Sequence, residues 1–224
     1  MGCRSPSRTS LDNVVDHRDL QTPVREQGER PACVGFAVSA AHEWMAETND
    51  LASPEDALWA AHQEGGPPDQ EATRVELALA GLDSHGHAME EAWPFGSPAW
   101  PASRPDAAMD SNARRVLPHW RSLGKASPGD VALRIEAEQA VILSLHVVRS
   151  AWRDPAGRVD AAPGRRRVGG HAVLAVGIEH DIQDASSLII KNSWGKGWGA
   201  GGYGFVSARY LANYMKQAFV LERP

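Results

Sequence analysis

Three short stretches carry side chains whose types and neighbours suit covalent chemistry. In Gln27-Gly28-Glu29-Arg30-Pro31-Ala32-Cys33 a thiol stands where apolar residues begin to recur, at Val34, Ala37, Val38, Ala41 and Met45. That spacing marks one face of a helix, and Pro31 suits a helix start, so Cys33 is expected at the helix N-terminus. Unpaired backbone N–H groups and the positive end of the helix dipole favour thiolate there, and thiolate is the nucleophilic form. Taken alone, a cysteine opening an apolar helix is more often a buried structural thiol. The second stretch is Gly169-Gly170-His171-Ala172-Val173-Leu174-Ala175-Val176-Gly177. Here a histidine opens an alternating apolar strand after two glycines, which permit close approach of a substrate or another backbone. By itself it reads as a half-buried strand histidine with one hydrogen bond. The third stretch runs from Lys191-Asn192-Ser193-Trp194-Gly195-Lys196-Gly197-Trp198-Gly199 to Gly201-Gly202-Tyr203-Gly204-Phe205. An asparagine leaving a buried strand can hold an imidazole by a ring N–H, and Trp194 can shield that bond from water. The plain reading is a glycine-rich turn with packed aromatics. No helix follows its Gly-x-Gly-x-Gly, which argues against a phosphate loop.

The elements that must position these groups divide along the chain. Residues 1–10 are polar and expected to be disordered, and an extended piece follows over 12–18. After the Cys33 helix, Ser53-Pro54-Glu55 supplies N-cap, N1 and first turn for a second helix to residue 61. Gly65-Gly66-Pro67-Pro68 breaks it, and a third helix is expected over 75–82, ending near Gly81 or Gly86. Prolines at 94, 98, 101 and 105 make 92–105 irregular, as a crossing between lobes would be. Ser127-Pro128-Gly129-Asp130 caps a short helix over 131–138. Strands are then expected over 140–148, 172–178, 188–190, 203–206 and 219–221. Helices first and strands second predict an α+β fold.

Composition narrows the function classes. A chain of 224 residues buries roughly 70% of its unfolded surface, enough for a core without staples. A net charge of −5 gives no reason to expect nucleic acid or an anionic membrane as partner. The run Arg165-Arg166-Arg167 reads as a solvated loop, with a substrate or partner contact as the alternative. The two cysteines, Cys3 and Cys33, make no disulfide framework and suggest a reducing compartment. No apolar run approaches the ~18 residues of a membrane span. The start lacks the apolar stretch of a signal peptide, and Pro6 breaks the myristoylation pattern, so a cytoplasmic location is expected. The nearest approach to metal-ligand spacing is His85-Gly86-His87, which reads as a loop histidine pair; no metal or organic cofactor is expected.

Together the three stretches resemble the papain-like cysteine peptidases. Gln27-Gly28-x(4)-Cys33-x-x-Phe36-Ala37, the Gly170-His171-Ala172-Val173 strand and the block from Asn192 to Tyr203 are family hallmarks in family order. That family has its His and Asn roughly 130–150 residues after the nucleophile. His171 follows Cys33 by 138 residues and Asn192 by 159, the latter slightly outside. Weaker likeness covers 14–24, 73–95 and 131–152, so most of 11–224 takes part. The resemblance implies one catalytic domain over 11–224. Its helical lobe, about 11–115, carries Cys33; a β-rich, barrel-like lobe, about 116–224, carries His171 and Asn192; a cleft lies between. It implies that Cys33 attacks a peptide carbonyl as a thiolate paired with protonated His171, and that Asn192 orients the imidazole under the cover of Trp194. It implies further that Gln27 donates to the oxyanion with the Cys33 N–H.

Three departures stand out against the family pattern. Arg30 replaces a cysteine that forms a disulfide in secreted members, and Val34 replaces an aromatic. Gly65-Gly66 lies near where the substrate-contacting glycines belong, but too early relative to Ser53 to be assigned to binding. Peptides or proteins are the expected substrates. With about ten residues before the first similar segment, restraint by a regulatory protein partner or a fused domain is expected. An acyl transferase using the same thioester, and a catalytically silent binding module, are the alternatives.

Overall fold

The computed structural model describes residues 14–67, 70–97, 103–110, 112, 114–161, 165–179 and 186–223. Residues 1–10, Cys3 among them, and part of the proline-rich stretch lie outside the described residues.

The long helix α1, Cys33–Met45, starts as its spacing predicts and is the axis of the helical side. Every residue from Val34 to Met45 is buried, so α1 is wrapped rather than laid on a surface. Helix α2, Pro54–Gln63, begins where Ser53 accepts the Asp56 N–H and Pro54 fills the first turn. Helix α3, Val75–His85, crosses α2 at Gly81, where a Cβ would stand 2.2 Å from the Ala60 carbonyl oxygen. Only glycine lets the two backbones approach so closely. Strand β2 (His87–Ala88) pairs with β3 (Arg114–Arg115), and a short helix α4 (Asp106–Met109) lies between them in sequence.

The second half forms the large sheet. Its strands are β4 (Trp120–Gly124), β5 (Ala140–Val147), β6 (Arg158–Val159), β7 (Gly169–Glu179), β8 (Ser187–Lys191), β9 (Tyr203–Ser207) and β10 (Met215–Leu221). Their order is β4-β10-β5-β7-β8-β9-β6, antiparallel except where β6 meets β9. Strand β1, Val15–Asp16, joins β7, so these two residues sit on the sheet rather than among the helices. Helices α5 (Pro128–Glu136), with a Ser127–Asp130 capping box, and α6 (Ala208–Tyr214) complete it.

Both faces of the central strands are buried, and the period of two decides what each residue touches. Ala172, Leu174 and Val176 of β7 pack with α1, while Val173 and Ala175 face a second cluster with Val131, Ile135 and Leu211. His171 and Ala172 therefore point to opposite sides of one strand.

Sequence reading and structure differ at element edges and at several small elements. Strand β7 begins at Gly169, so His171 lies within it instead of opening it. Helix α3 runs to His85 and is stopped by Gly86 at φ 69°, the later of its two expected ends. Strands β2, β3, β4 and β6 and helices α4 and α6 have no counterpart in the sequence reading. Strand β4 is half exposed and carries no alternation, and α6 is too short for helical periodicity to show.

His87 and His42 meet in the helical core with their Nδ1 atoms 2.9 Å apart, while His85 lies edge-on to Trp59. Burial pushes His42 down to about 3 and His87 down to about 4. Their folded pKa values lie below the unfolded value near 6.5, so the unfolded chain takes up more protons as pH falls. Stability is therefore expected to decline from about pH 6.5 toward pH 3. Urea unfolding across that range checks this, and a midpoint independent of pH would contradict it.

Candidate active site

Helix α1 delivers the thiol. Ala32 has no side chain that could cap the first turn, so the N–H groups of that turn face the thiol rather than a capping oxygen. Cys33 is half-buried and forms no disulfide, and the backbone N–H groups of Ala172, Val34 and Cys33 itself favour the charged form of its sulfur. The Ala172 contact is the decisive one, because it brings the early helix against the late strand one residue from His171.

His171 is 5% exposed, and its Nε2 lies 2.8 Å from Asn192 Oδ1. The Ser193 N–H donates to the same oxygen at 2.8 Å, so Oδ1 is the acceptor of both bonds. His171 must then carry its proton on Nε2 when neutral, which leaves Nδ1 bare to accept another. Trp194 stacks on the imidazole at 4.7 Å between ring centres, and Trp152 meets it edge-on at 5.3 Å. Two indoles thus keep water from the His171–Asn192 bond.

Burial pushes the Cys33 thiol up, against the pull of its three N–H donors. Burial also pushes His171 down to about 4, partly opposed by Asn192. The thiolate expected at the helix terminus is therefore disfavoured for the sulfur taken singly, because desolvation outweighs the donors. The two charges arise together when one proton moves from sulfur to imidazole, so they titrate as a pair.

Gln27 is buried where the two halves of the chain clasp. Its backbone N–H donates to the Ser193 carbonyl at 2.8 Å, and the Gly195 N–H donates to the Arg25 carbonyl at 3.2 Å. Gly202, at φ 94° with a Cβ position 2.4 Å from Val24, lets the glycine-rich loop close over this strip. The Ser193 hydroxyl donates to Gln27 Oε1 at 2.6 Å, and Gln27 Nε2 donates to the Arg30 carbonyl at 2.6 Å. One of the two Nε2 protons is so committed; the other is available to a ligand. Ser193→Ala is expected to lower turnover about two- to ten-fold, the worth of one orienting hydrogen bond, as steady-state kinetics would show.

Cys33, His171, Gln27 and Trp194 line one cleft of about 470 Å³. On the helical side its wall is Ala72, Thr73, Arg74, Val75 and Glu76. Gly65-Gly66 is absent from it; Gly66 instead donates to the Ala61 carbonyl behind α2. Arg30, three residues before the thiol, pairs with buried Glu55 and with Glu71, and stands 4.4 Å over the Phe95 ring. Ion pairs thus tie the thiol loop to the first turn of α2 and to Glu71, the neighbour of the cleft-wall residue Ala72.

Residues 11–218 match the family model for papain family cysteine protease. The chain belongs to the papain family. Solved papain-family structures share its fold. Xylellain, a cysteine protease from Xylella fastidiosa, superposes with a TM-score of 0.79 at 18% identity, over 99% of this chain and 91% of that one. Digestive procathepsin L 3 from Tenebrio molitor gives 0.76 at 20% identity, over 97% of this chain and 73% of that one. Among curated sequences, a peptidase C1-like protein of Acanthamoeba polyphaga mimivirus is 42% identical over 48 residues, 21% of this chain. A cysteine protease of Blomia tropicalis is 34% identical over 83 residues, 37% of this chain. Those matches span 14% and 25% of the two relatives.

In this papain-family site some groups carried no role in the sequence reading. Trp152 is one, fixed by donating to Tyr210 Oη at 2.8 Å. Ser193, inside a quoted motif, is another. A third is a buried network around Glu43, which accepts from Arg25 at 2.7 Å, from the Ala52 N–H at 2.9 Å and from Thr22. Lys191, the neighbour of Asn192, donates to Thr22 Oγ1 at 2.8 Å. Its contributors are scattered singly along the chain, with no spacing to betray them.

Proposed function

We propose that this chain is a cysteine peptidase, with Cys33 as nucleophile, His171 as its base and acid, Asn192 as the group orienting His171, and Gln27 as an oxyanion donor. The observation that carries the reading is the bare Nδ1 of an imidazole anchored through Nε2, in the same cleft as a thiol at a helix N-terminus. Sulfur attacks the substrate carbonyl carbon as its proton passes to His171. The tetrahedral oxyanion receives the Cys33 N–H and the spare Gln27 amide proton. The C–N bond then breaks, and the amine leaves with the proton from His171. Water, deprotonated by His171, releases the acid from the thioester and restores the thiol.

Gln27→Ala is expected to lower kcat about 10²–10³-fold with little change in KM, as loss of an oxyanion donor does. Mass spectrometry of a mixed peptide pool, with Cys33→Ala as blank, tests the reaction. New termini bearing water support the reading. Products joined to an added amine would make it an acyl transferase, and an unchanged pool would overturn it. A cytoplasmic, reducing setting near neutral pH fits the Arg30 ion pairs and the buried neutral histidines. Regulation by a protein partner or fused domain is proposed with it.

A further inference from the structure

The wall of the cleft formed by the sheet is charged in a way the reaction does not use. Lys216 of β10 lines the cleft beside Gln217, Ser144 and Gly170. A Cβ built on Gly170 would lie 3.9 Å from Lys216 Nζ, so the ammonium hangs over bare backbone one residue from His171. Among the described residues Lys216 makes no ion pair with an acid. Arg167, whose guanidinium stands 5.7 Å over the Tyr214 ring, and Lys216 both act on His146 of β5 and disfavour its charged form. Exposed Arg165 and Arg166 precede Arg167 in the segment that leads into β7. The opposite wall carries both signs, with Glu29, Glu76 and Arg74, while Arg30 is neutralised by Glu55 and Glu71. The imbalance therefore lies on the sheet side, close to the reacting atoms.

We infer that Lys216, backed by Arg167, makes this cleft select peptides bearing an aspartate or glutamate side chain within about two residues of the scissile bond. The inference deepens the peptidase reading and rests on it. Gly170 contributes no side chain, which leaves room for a carboxylate to reach the ammonium. Consecutive substrate Cα atoms are about 3.8 Å apart, so a charge one residue from His171 reads positions next to the cut. A single exposed pair is worth up to about 1 kcal/mol, about five-fold in kcat/KM, and the flanking Arg167 adds to it.

The test uses fluorogenic peptides that differ only by Glu or Gln at each position flanking the scissile bond. Wild type is expected to cleave one Glu peptide about five- to ten-fold faster than its Gln twin. The gap is expected to close at about 1 M salt, where the Debye length is about 3 Å. In Lys216→Met the two peptides should converge, and Lys216→Glu should prefer a Lys peptide, an inversion that mere loss of packing does not produce. Calorimetric binding of the same pairs to Cys33→Ala reads recognition without turnover. A Glu preference in binding with no cleavage of any peptide would sink the peptidase reading and leave the recognition standing. Equal kcat/KM and equal affinity for every pair, or a preference that survives Lys216→Met, overturns the inference.

Discussion

His171→Ala is expected to lower peptide turnover by about ten-thousand-fold or more, because it removes one member of a unit that acts together. Burial already pushes the Cys33 thiol up, and only the Ala172, Val34 and Cys33 N–H groups oppose it. Without the imidazole the sulfur has nowhere nearby to send its proton. The leaving amine also loses its proton donor. The fold should survive, since Asn192 Oδ1 keeps the Ser193 N–H and the Trp152–Trp194 pair remains at 5.5 Å. Kinetics alongside thermal unfolding of the variant separate loss of chemistry from loss of structure. Turnover within ten-fold of wild type would contradict the assigned role.

Glu43→Ala is expected to have the largest effect on stability, about 3–5 kcal/mol, the usual cost of leaving a buried charge unpaired. Glu43 is 2% exposed and is the acid at the centre of the network that includes Arg25 and Thr22. Through Thr22 it reaches Lys191, which burial pushes down to about 8 while Glu43 opposes the shift. Lys191 is followed directly by Asn192, so the network also holds the strand end that presents the orienting amide. For Lys191 the folded pKa lies below the unfolded one near 10.4, so the unfolded state binds more protons between them. Stability is thus expected to rise from about pH 8 toward pH 10 in wild type, with the onset at lower pH in Glu43→Ala. Denaturant titrations at several pH values read both effects, and a loss under about 1 kcal/mol would mean that the network is not holding the charge.

The α+β order of the chain was legible because its signals are local. Pro31 before an apolar face marked the start of α1, and Ser53-Pro54 and Ser127-Pro128 marked two more helices. The neighbourhood of Cys33, His171 and Asn192 was readable only through family likeness, since contacts over such separations leave no periodicity. Desolvation was not legible at all. A helix terminus suggests thiolate, yet the packing of Ala172 on Cys33 and of two indoles around His171 decides the balance the other way for each group alone. The wall over residues 72–76 was missed because it has no glycine pair to announce it, whereas Gly65-Gly66 does and merely closes α2.

The most direct test of the site follows alkylation of Cys33 by iodoacetamide across pH, in wild type and in His171→Ala, with peptide mapping to confirm the labelled residue. Wild type is expected to react at pH 7 at least about a hundred-fold faster than the variant, whose profile should move above the ordinary thiol value near 8.5. Superimposable profiles for the two proteins would mean that the imidazole takes no proton from this sulfur, and the account of the site would fall.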